Sequence, residues 1–465
     1  MSTIEAKAPK RRGHLHPVLI MVALLLATMV LTHLIPAGKY QRKDGNVVPG
    51  SYHTVPKVNG VPALIAPSAP TADQAPAKAA GIVAVFASIP AGMSKSASLI
   101  FMVMFVGGMF GVLRATGAID AGIDRLLHLT SGNVYLLTTG LMLVLACGAT
   151  FLGFISEYLV IIPVVAEMAR RLKLPALFAP AVVLVPSFIG YVACVTNPLV
   201  LTVAQPLAGV PIFSGFVPRF LIFAAMFGVG LAYVLLYVSR QPKVDHVPEA
   251  TRLTKRHSAV LMAVALGGIA LLTGTGLWDW GSPELGAAFV AYGVLIAFAG
   301  KLAPGSAADA FLDGMQSMLL AGIMLGLASS MEILLQTSQV LDTVVQSFAN
   351  MIAGQTSFVV VEGMVFGQMV FGFLIHSAVP KSAISLPILA PIAHFAGVSS
   401  QQTVTSLLVG TGLINMISPT NGLLLAFLAV AKVDYGEWFR FVAPLFAILC
   451  VVGFAAVYLI TALGG

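Results

Sequence analysis

Seven stretches of this 465-residue sequence stay apolar long enough to cross a bilayer core: Pro17–Pro36, Ser98–Ala115, Val217–Val238, His257–Gly276, Glu284–Lys301, Gly314–Met331 and Trp438–Leu463. A helix needs about 20 residues to cross the roughly 30 Å of hydrocarbon, and a chain with this many such runs is built for lipid. Composition agrees: 58% of residues are hydrophobic and 9% charged, against about a quarter charged in soluble domains.

The first run follows Lys7, Lys10, Arg11 and Arg12. It is long for a signal-peptide core, and Ile35-Pro36-Ala37-Gly38-Lys39 is a poor cleavage site, so it reads as a retained span. The net charge of +7 does not imply a nucleic-acid partner, because the basic residues flank hydrophobic spans. Cys147, Cys194 and Cys450 are isolated in apolar surroundings and read as small core residues, with no metal-ligand spacing.

With the N-terminal basic cluster in the cytoplasm, residues 37–95, rich in Pro, Ala and polar residues, fall outside. Arg114, Arg125 and the basic connection Ser239–Arg256 then fall inside, while the outer loops Thr337–Thr356 and Gly397–Gln402 carry no Lys or Arg. Two regions are not simple spans: Val134–Leu172 is broken at Gly148, Gly153, Ser156 and Glu157, and Phe358–Ala396 at His376, Ser377, Pro380 and Lys381. Each reads as a re-entrant helical hairpin, the first entering from inside and the second from outside. Such tips survive only where protein or a water-filled cavity surrounds them.

Aligning the hairpins on Pro163 and Pro387 gives an offset of 387 − 163 = 224, which also lays Thr196-Asn197-Pro198-Leu199 on Thr420-Asn421-Gly422-Leu423. Thr116–Asp120 resembles Thr337–Asp342, and Arg219-Phe220 resembles Arg440-Phe441. The expected fold is therefore an all-α polytopic membrane protein of two inverted repeats, each with a re-entrant hairpin and a discontinuous transmembrane helix. That pattern belongs to alternating-access carriers, whose ligands bind where the breaks meet.

The expected organisation is residues 1–96 as N-terminal helix and outer loop, 97–238 as the first transport repeat, 239–313 as linker and connecting helices, and 314–465 as the second repeat.

Pro198, Gly422 and Ser418-Pro419 allow the helices to unwind at the two Thr-Asn pairs. Unwound carbonyls with Thr196, Asn197, Thr420 and Asn421 suit a small cation such as sodium or a polar substrate, and nearby helix N-termini attract carboxylates. The offset sets Glu157 opposite Lys381, and an ionisable residue at membrane depth marks function or else a structural ion pair. The candidate substrate site comprises Ser156, Glu157, Thr196, Asn197, Ser377, Lys381, Ser382, Thr420 and Asn421, with Glu157 as proton carrier. Glu332, Glu362, Glu167 and His376 are weaker candidates, readable as capped, interfacial or satisfied groups. Gly107-Gly108 and Gly111 read as close helix packing, because no strand precedes them and no Lys follows.

Ile35-Pro36-Ala37-Gly38, Gly107-Gly108-Met109-Phe110-Gly111, Thr116-Gly117-Ala118-Ile119-Asp120, Ala204–Pro211 and Ser418-Pro419-Thr420-Asn421 resemble the YfcC-type branch of the anaerobic C4-dicarboxylate carrier family, in the ion transporter superfamily. The resemblance spans nearly the whole chain. It implies a scaffold and a transport region similar to divalent-anion sodium symporters, an elevator motion, a homodimer, and a site in the bacterial cytoplasmic (inner) membrane. In those relatives Ser-Asn-Thr tips bind sodium and the substrate carboxylate, whereas the tips here read Ile155-Ser156-Glu157-Tyr158 and Val379-Pro380-Lys381-Ser382. Lys381 then stands in for a cation and Glu157 for a proton site.

The expected function is secondary transport of a small carboxylate-bearing solute (C4-dicarboxylate, short-chain acid or amino acid), proton-coupled or by exchange, with no cofactor. A sodium-coupled symporter is the alternative, and a channel a more distant one. An enzyme is not expected, since no His-Glu-x-x-His stretch appears and no Gly-x-Ser-x-Gly stretch is placed to act.

Overall fold

A computed structural model describes residues 17–43, 46–60, 63–64, 77–130, 133–241, 254–278 and 280–462. The basic cluster Lys7–Arg12 and the linker residues Lys243 and Arg252 lie outside the described residues. Six two-residue strands tie down the segment after the first helix, pairing β1 (Gly38–Lys39) with β4 (His53–Thr54), β2 (Arg42–Lys43) with β3 (Asn46–Val47), and β5 (Lys57–Val58) with β6 (Ala77–Lys78).

The other regular elements among the described residues are helices. The first half holds α1 (Pro17–Leu34), α2 (Ile82–Lys95), α3 (Ala97–Ala115), α4 (Ala118–Leu129), α5 (Val134–Cys147), α6 (Ile161–Arg171), α7 (Phe178–Ala193), α8 (Pro198–Leu207) and α9 (Phe216–Ser239). Next come α10 (Lys255–Leu277) and α11 (Ser282–Ala299). The remainder is α12 (Pro304–Ser317), α13 (Leu319–Thr337), α14 (Leu341–Ile352), α15 (Ser357–Leu374), α16 (Ala378–Phe395), α17 (Ser400–Asn415), α18 (Gly422–Ala431) and α19 (Tyr435–Ala462). Among the described residues nine helical runs are long and apolar enough to cross a membrane, one of them joining α7 and α8. The chain is a multi-pass membrane protein, and helices are the form in which so apolar a backbone satisfies its own hydrogen bonds.

Two bodies can be distinguished by packing. In the first, α2–α3 runs antiparallel along α12–α13. Lipid offers no hydrophobic drive for helix association, so contact there depends on close fit. A Cβ on Gly107 would lie 2.5 Å from the Gly314 carbonyl oxygen, and one on Gly314 would lie 2.1 Å from that of Gly107. The small residues at 107, 111 and 314 therefore form a seam that no side chain can enter, as the packing reading of Gly107-Gly108 and Gly111 expects. Because the pairs are antiparallel, α4, which follows α3, and α14, which follows α13, sit at opposite ends of the seam.

In the second body α7 and α17 are central. Tyr191 is the one residue of α7 that is not buried. Around them stand two interrupted hairpins, α5 to α6 and α15 to α16. The first hairpin is anchored at its open end, where Arg171 pairs with Asp120 at 2.5 Å and with Asp124, both on α4. Glu167 binds the Arg170 guanidinium there, and Arg171 at 3.4 Å.

At the far end the strand segment clasps α14. Arg42 pairs with Asp342 at 2.9 Å, the Tyr40 amide donates to the same carboxylate at 3.0 Å, and the Tyr52 and Thr343 hydroxyls are 3.0 Å apart. The Lys57 ammonium donates to the carbonyl of Thr32 in the last turn of α1 and, at 2.7 Å, to that of Ile35 just past it, and so satisfies acceptors left open by a helix end.

Candidate functional site

The first helix break lies between α7 and α8. Cys194 turns left-handed (φ 43°) and ends α7, and Asn197 begins α8 by accepting from the Leu199 amide at 3.0 Å, with Pro198 in the first helical position. Pro is at home there, since that amide has no acceptor in a helix anyway. The break is tied to the first hairpin: the Val195 amide donates to Thr150 Oγ1 at 3.1 Å, and Thr196 Oγ1 donates to the Phe151 carbonyl at 3.1 Å. Gly153, also left-handed (φ 81°), lies so close that a Cβ on it would be 2.5 Å from Asn197 Oδ1.

The second break, between α17 and α18, repeats this arrangement. Asn421 Oδ1 accepts from the amides of Leu423 and Leu424 at 3.1 and 3.3 Å, and its Nδ2 donates to the Asn415 carbonyl at 3.1 Å. Thr420 Oγ1 donates to the Phe373 carbonyl of the second hairpin at 2.9 Å. The same Oγ1 lies 2.6 Å from Ser418 Oγ and 2.6 Å from His376 Nε2.

Each break also receives a large donor from the helix that follows. Arg219 Nη2 of α9 donates to the Val195 carbonyl at 3.1 Å, and Trp438 Nε1 of α19 donates to that of Met416 at 3.0 Å. Arg219 is fully buried, and its Nε and Nη1 have no partner among the described residues. Sequence comparison pairs Arg219 with Arg440, but the residue doing the same work in the second half is Trp438.

The tips differ from their sequence reading. The first opens in a π-helical turn (Gly148–Leu152) and re-forms as a 3₁₀ turn (Ser156–Val160). Glu157 folds back there to accept from the Ile155 amide at 3.0 Å. The second tip is Ile375–Ser377, earlier than expected, because α16 already begins at Ala378. Pro380 and Lys381 thus lie in the first turn of a helix, where a Pro costs no hydrogen bond.

Both tips meet in one cavity of about 360 Å³, lined by Ile155 and Ser156, by His376, Ser377 and Ala378, by Asn415 and Asn421, and by Tyr191 of α7. Its other wall comes from the seam body: Ser96 in the gap between α2 and α3, and Ser329 and Glu332 on α13. A larger cavity of about 420 Å³, lined by Arg114, Asp120, Glu167 and Asp313 among others, sits at the base of the first hairpin, away from both tips.

Of the expected site residues, Ser156, Ser377 and Asn421 line the central cavity. Thr196, Asn197, Thr420, Glu157 and Ser382 stand behind it, as the polar ties just described; Ser382 Oγ donates to the Ala378 carbonyl at 2.7 Å. Lys381 is 1% exposed and lies inside the second hairpin, its Nζ 3.3 Å from the Gln368 carbonyl, and no ion pair joins it to Glu157. The wall residues Ser96 and Ser329 carry no sequence signal, since serines in apolar helices are common. Glu332 did carry one, an acidic residue inside a span.

Residues 16–462 match the C4-dicarboxylate anaerobic carrier family, DcuC. The chain is similar to the Escherichia coli K12 protein named "Putative basic amino acid antiporter YfcC", at 27% identity with 97% of each chain covered. An uncharacterised Haemophilus influenzae protein is 22% identical, over 80% of this chain and 77% of that one. Among solved structures, the YdaH transporter of Alcanivorax borkumensis aligns at 16% identity and a TM-score of 0.44, covering 97% of this chain and 99% of its own. MtrF of Neisseria gonorrhoeae aligns at 15% and 0.44, covering 96% and 95%.

Proposed function

Since the chain belongs to the C4-dicarboxylate anaerobic carrier family, we propose that it is a secondary carrier of a small carboxylate-bearing solute across the bacterial inner membrane. The observation that carries this reading is the convergence of both hairpin tips and a helix break on one cavity, the arrangement by which broken-helix carriers hold a solute between gates.

The two-repeat reading draws support from the order of elements. Helix pair, short helix, broken hairpin, buried helix, Thr-Asn break, short helix and long helix run from α2 to α9 and again from α12 to α19. The placement of α4 and α14 at opposite ends of the seam suits an inverted relation between them. Alternation then consists of the hairpin body moving against the seam body, in the manner of an elevator.

Ser377 starts α16 without a side-chain cap, so the positive end of that 18-residue helix is available to the solute carboxylate. Lys381, one turn further on, adds a positive charge behind the same helix end whenever its amine is protonated. Glu157 is the proton carrier in this scheme.

The test is counterflow in proteoliposomes with purified protein and labelled dicarboxylates, short-chain acids and amino acids. Saturable counterflow of one class is expected. Flux that neither saturates nor accelerates with solute on the far side would mean a channel.

A further inference from the structure

We infer that Glu332 sets the charge of the solute by receiving the ammonium group of an amino acid, so that the carried solute pairs a positive charge with its carboxylate and is not a dicarboxylate. The inference rests on the carrier reading above and names the substrate class of that same cavity.

Among the described residues lining the cavity, Glu332 is the sole Asp, Glu, Lys or Arg; the polar remainder are hydroxyls, amides, a phenol and His376. A cavity built for two carboxylates would be expected to present two cationic ends. This one presents the N-terminus of α16 at Ser377 and Ala378, that of α18 at Asn421 and Gly422, already capped by Asn421 Oδ1, and a carboxylate on the seam wall. A second carboxylate brought to within about 6 Å of an unpaired Glu332 in a partly desolvated site would lose on the order of a hundredfold in affinity, a penalty that the Lys95 ammonium on the outer side of the carboxylate reduces.

Glu332 is also held ready. Its Oε2 accepts from Lys95 Nζ at 3.0 Å and its Oε1 from Gln336 Nε2 at 2.8 Å. An ionised carboxylate offers about four acceptor positions, so about two remain for an incoming ammonium. Lys95 does not line the cavity, and its side chain is 40% exposed, so it steadies the carboxylate from outside. The charge therefore sits on the seam body while the carboxylate subsite sits on the second hairpin, and a solute with both groups spans the gap between the moving parts.

The test uses the full-length protein in proteoliposomes, with counterflow of L-ornithine, L-serine, glutarate and succinate. Counterflow confined to one or both amino acids is expected. Glu332→Gln should raise the half-saturating amino-acid concentration about tenfold or more, the scale of a lost charge-assisted hydrogen bond. Lys95→Met breaks the ion pair but keeps the carboxylate, and should retain the amino-acid preference; Glu332→Asp does the same where the Gln variant does not fold. Equal losses in Glu332→Gln and Lys95→Met would reduce the pair to a structural role and overturn the inference. Counterflow of glutarate or succinate alone would also overturn it and leave the carrier reading standing. Saturable counterflow of none of the four, nor of a short-chain acid, would remove both.

Discussion

Gly153 is the point where the first hairpin tip touches the first helix break, and replacing it by alanine tests whether that contact holds the site together. Two costs follow from the geometry. Its φ of 81° is a left-handed conformation that costs an L-residue about 1–2 kcal/mol. The new Cβ would also lie 2.5 Å from Asn197 Oδ1. Asn197 is fully buried and has nowhere to retreat without giving up its cap on α8, a loss of about 1 kcal/mol or more. The expected total is about 2–4 kcal/mol.

Gly209 supplies the control, because its φ of 72° carries the same conformational cost while nothing lies within 4 Å of its Cβ position. Chemical unfolding in detergent should show Gly153→Ala less stable than Gly209→Ala by about 1–2 kcal/mol. Adding Asn197→Ala to Gly153→Ala should cost less than the two single losses together, since both disturb one contact. Equal stability of the two glycine variants, or strict additivity with Asn197→Ala, would refute the coupling of tip to break.

Glu157→Gln should abolish uptake driven by a pH gradient in sodium-free liposomes while exchange persists; strict sodium dependence in the native protein, with no response to the gradient, would return the Thr-Asn breaks to service as sodium sites. Lys381→Met keeps the volume but removes the charge behind the α16 terminus, and should weaken solute binding by about three- to tenfold; an unchanged half-saturation would make Lys381 a packing residue. Burial pushes the Lys57 ammonium down to about 8 from its ordinary 10.5. The released strand segment therefore binds that proton more readily than the docked one, and docking should gain stability as pH rises from about 8 towards 10.5. Hydrogen-exchange protection factors at residues 37–58 would report this, with no such rise in Lys57→Met.

The spans, the broken hairpins and the Thr-Asn breaks were legible because each leaves a local mark: an apolar run, a polar interruption, or a Pro or Gly where a helix must start. Thr196 and Thr420 tie back to the hairpin carbonyls of Phe151 and Phe373; the offset of 224 relates the two threonines, while the two carbonyls lie 373 − 151 = 222 apart. The exact second tip was not legible. Pro380 reads as a breaker in sequence, yet a helix tolerates it in its first turn, and the break moved to Ile375–Ser377. Arg440 was matched to Arg219 by residue type, whereas the equivalent donor is Trp438, because what the break demands is an N–H at the right height rather than a charge. That Glu332 lines the cavity was not legible, because it depends on which surface of α13 faces inward, and that is fixed by the seam with α2 and α3.

The anchoring of the first hairpin at α4 has a mechanical consequence. From Arg171 to Ser156 the arm comprises 11 α-helical and 5 3₁₀ residues, about 27 Å at 1.5 and 2.0 Å per residue. The Arg171 pairs with Asp120 and Asp124 hold the base of this arm, and the ties of Thr150 and Phe151 to the first break hold its tip. A swing of about 10° at the base carries Ser156 through about 5 Å, more than the length of the bonds that close the tip. A shift at the Arg171 pairs, far from the cavity, would therefore arrive at Ser156 enlarged, and would load the ties at Thr150 and Phe151 first.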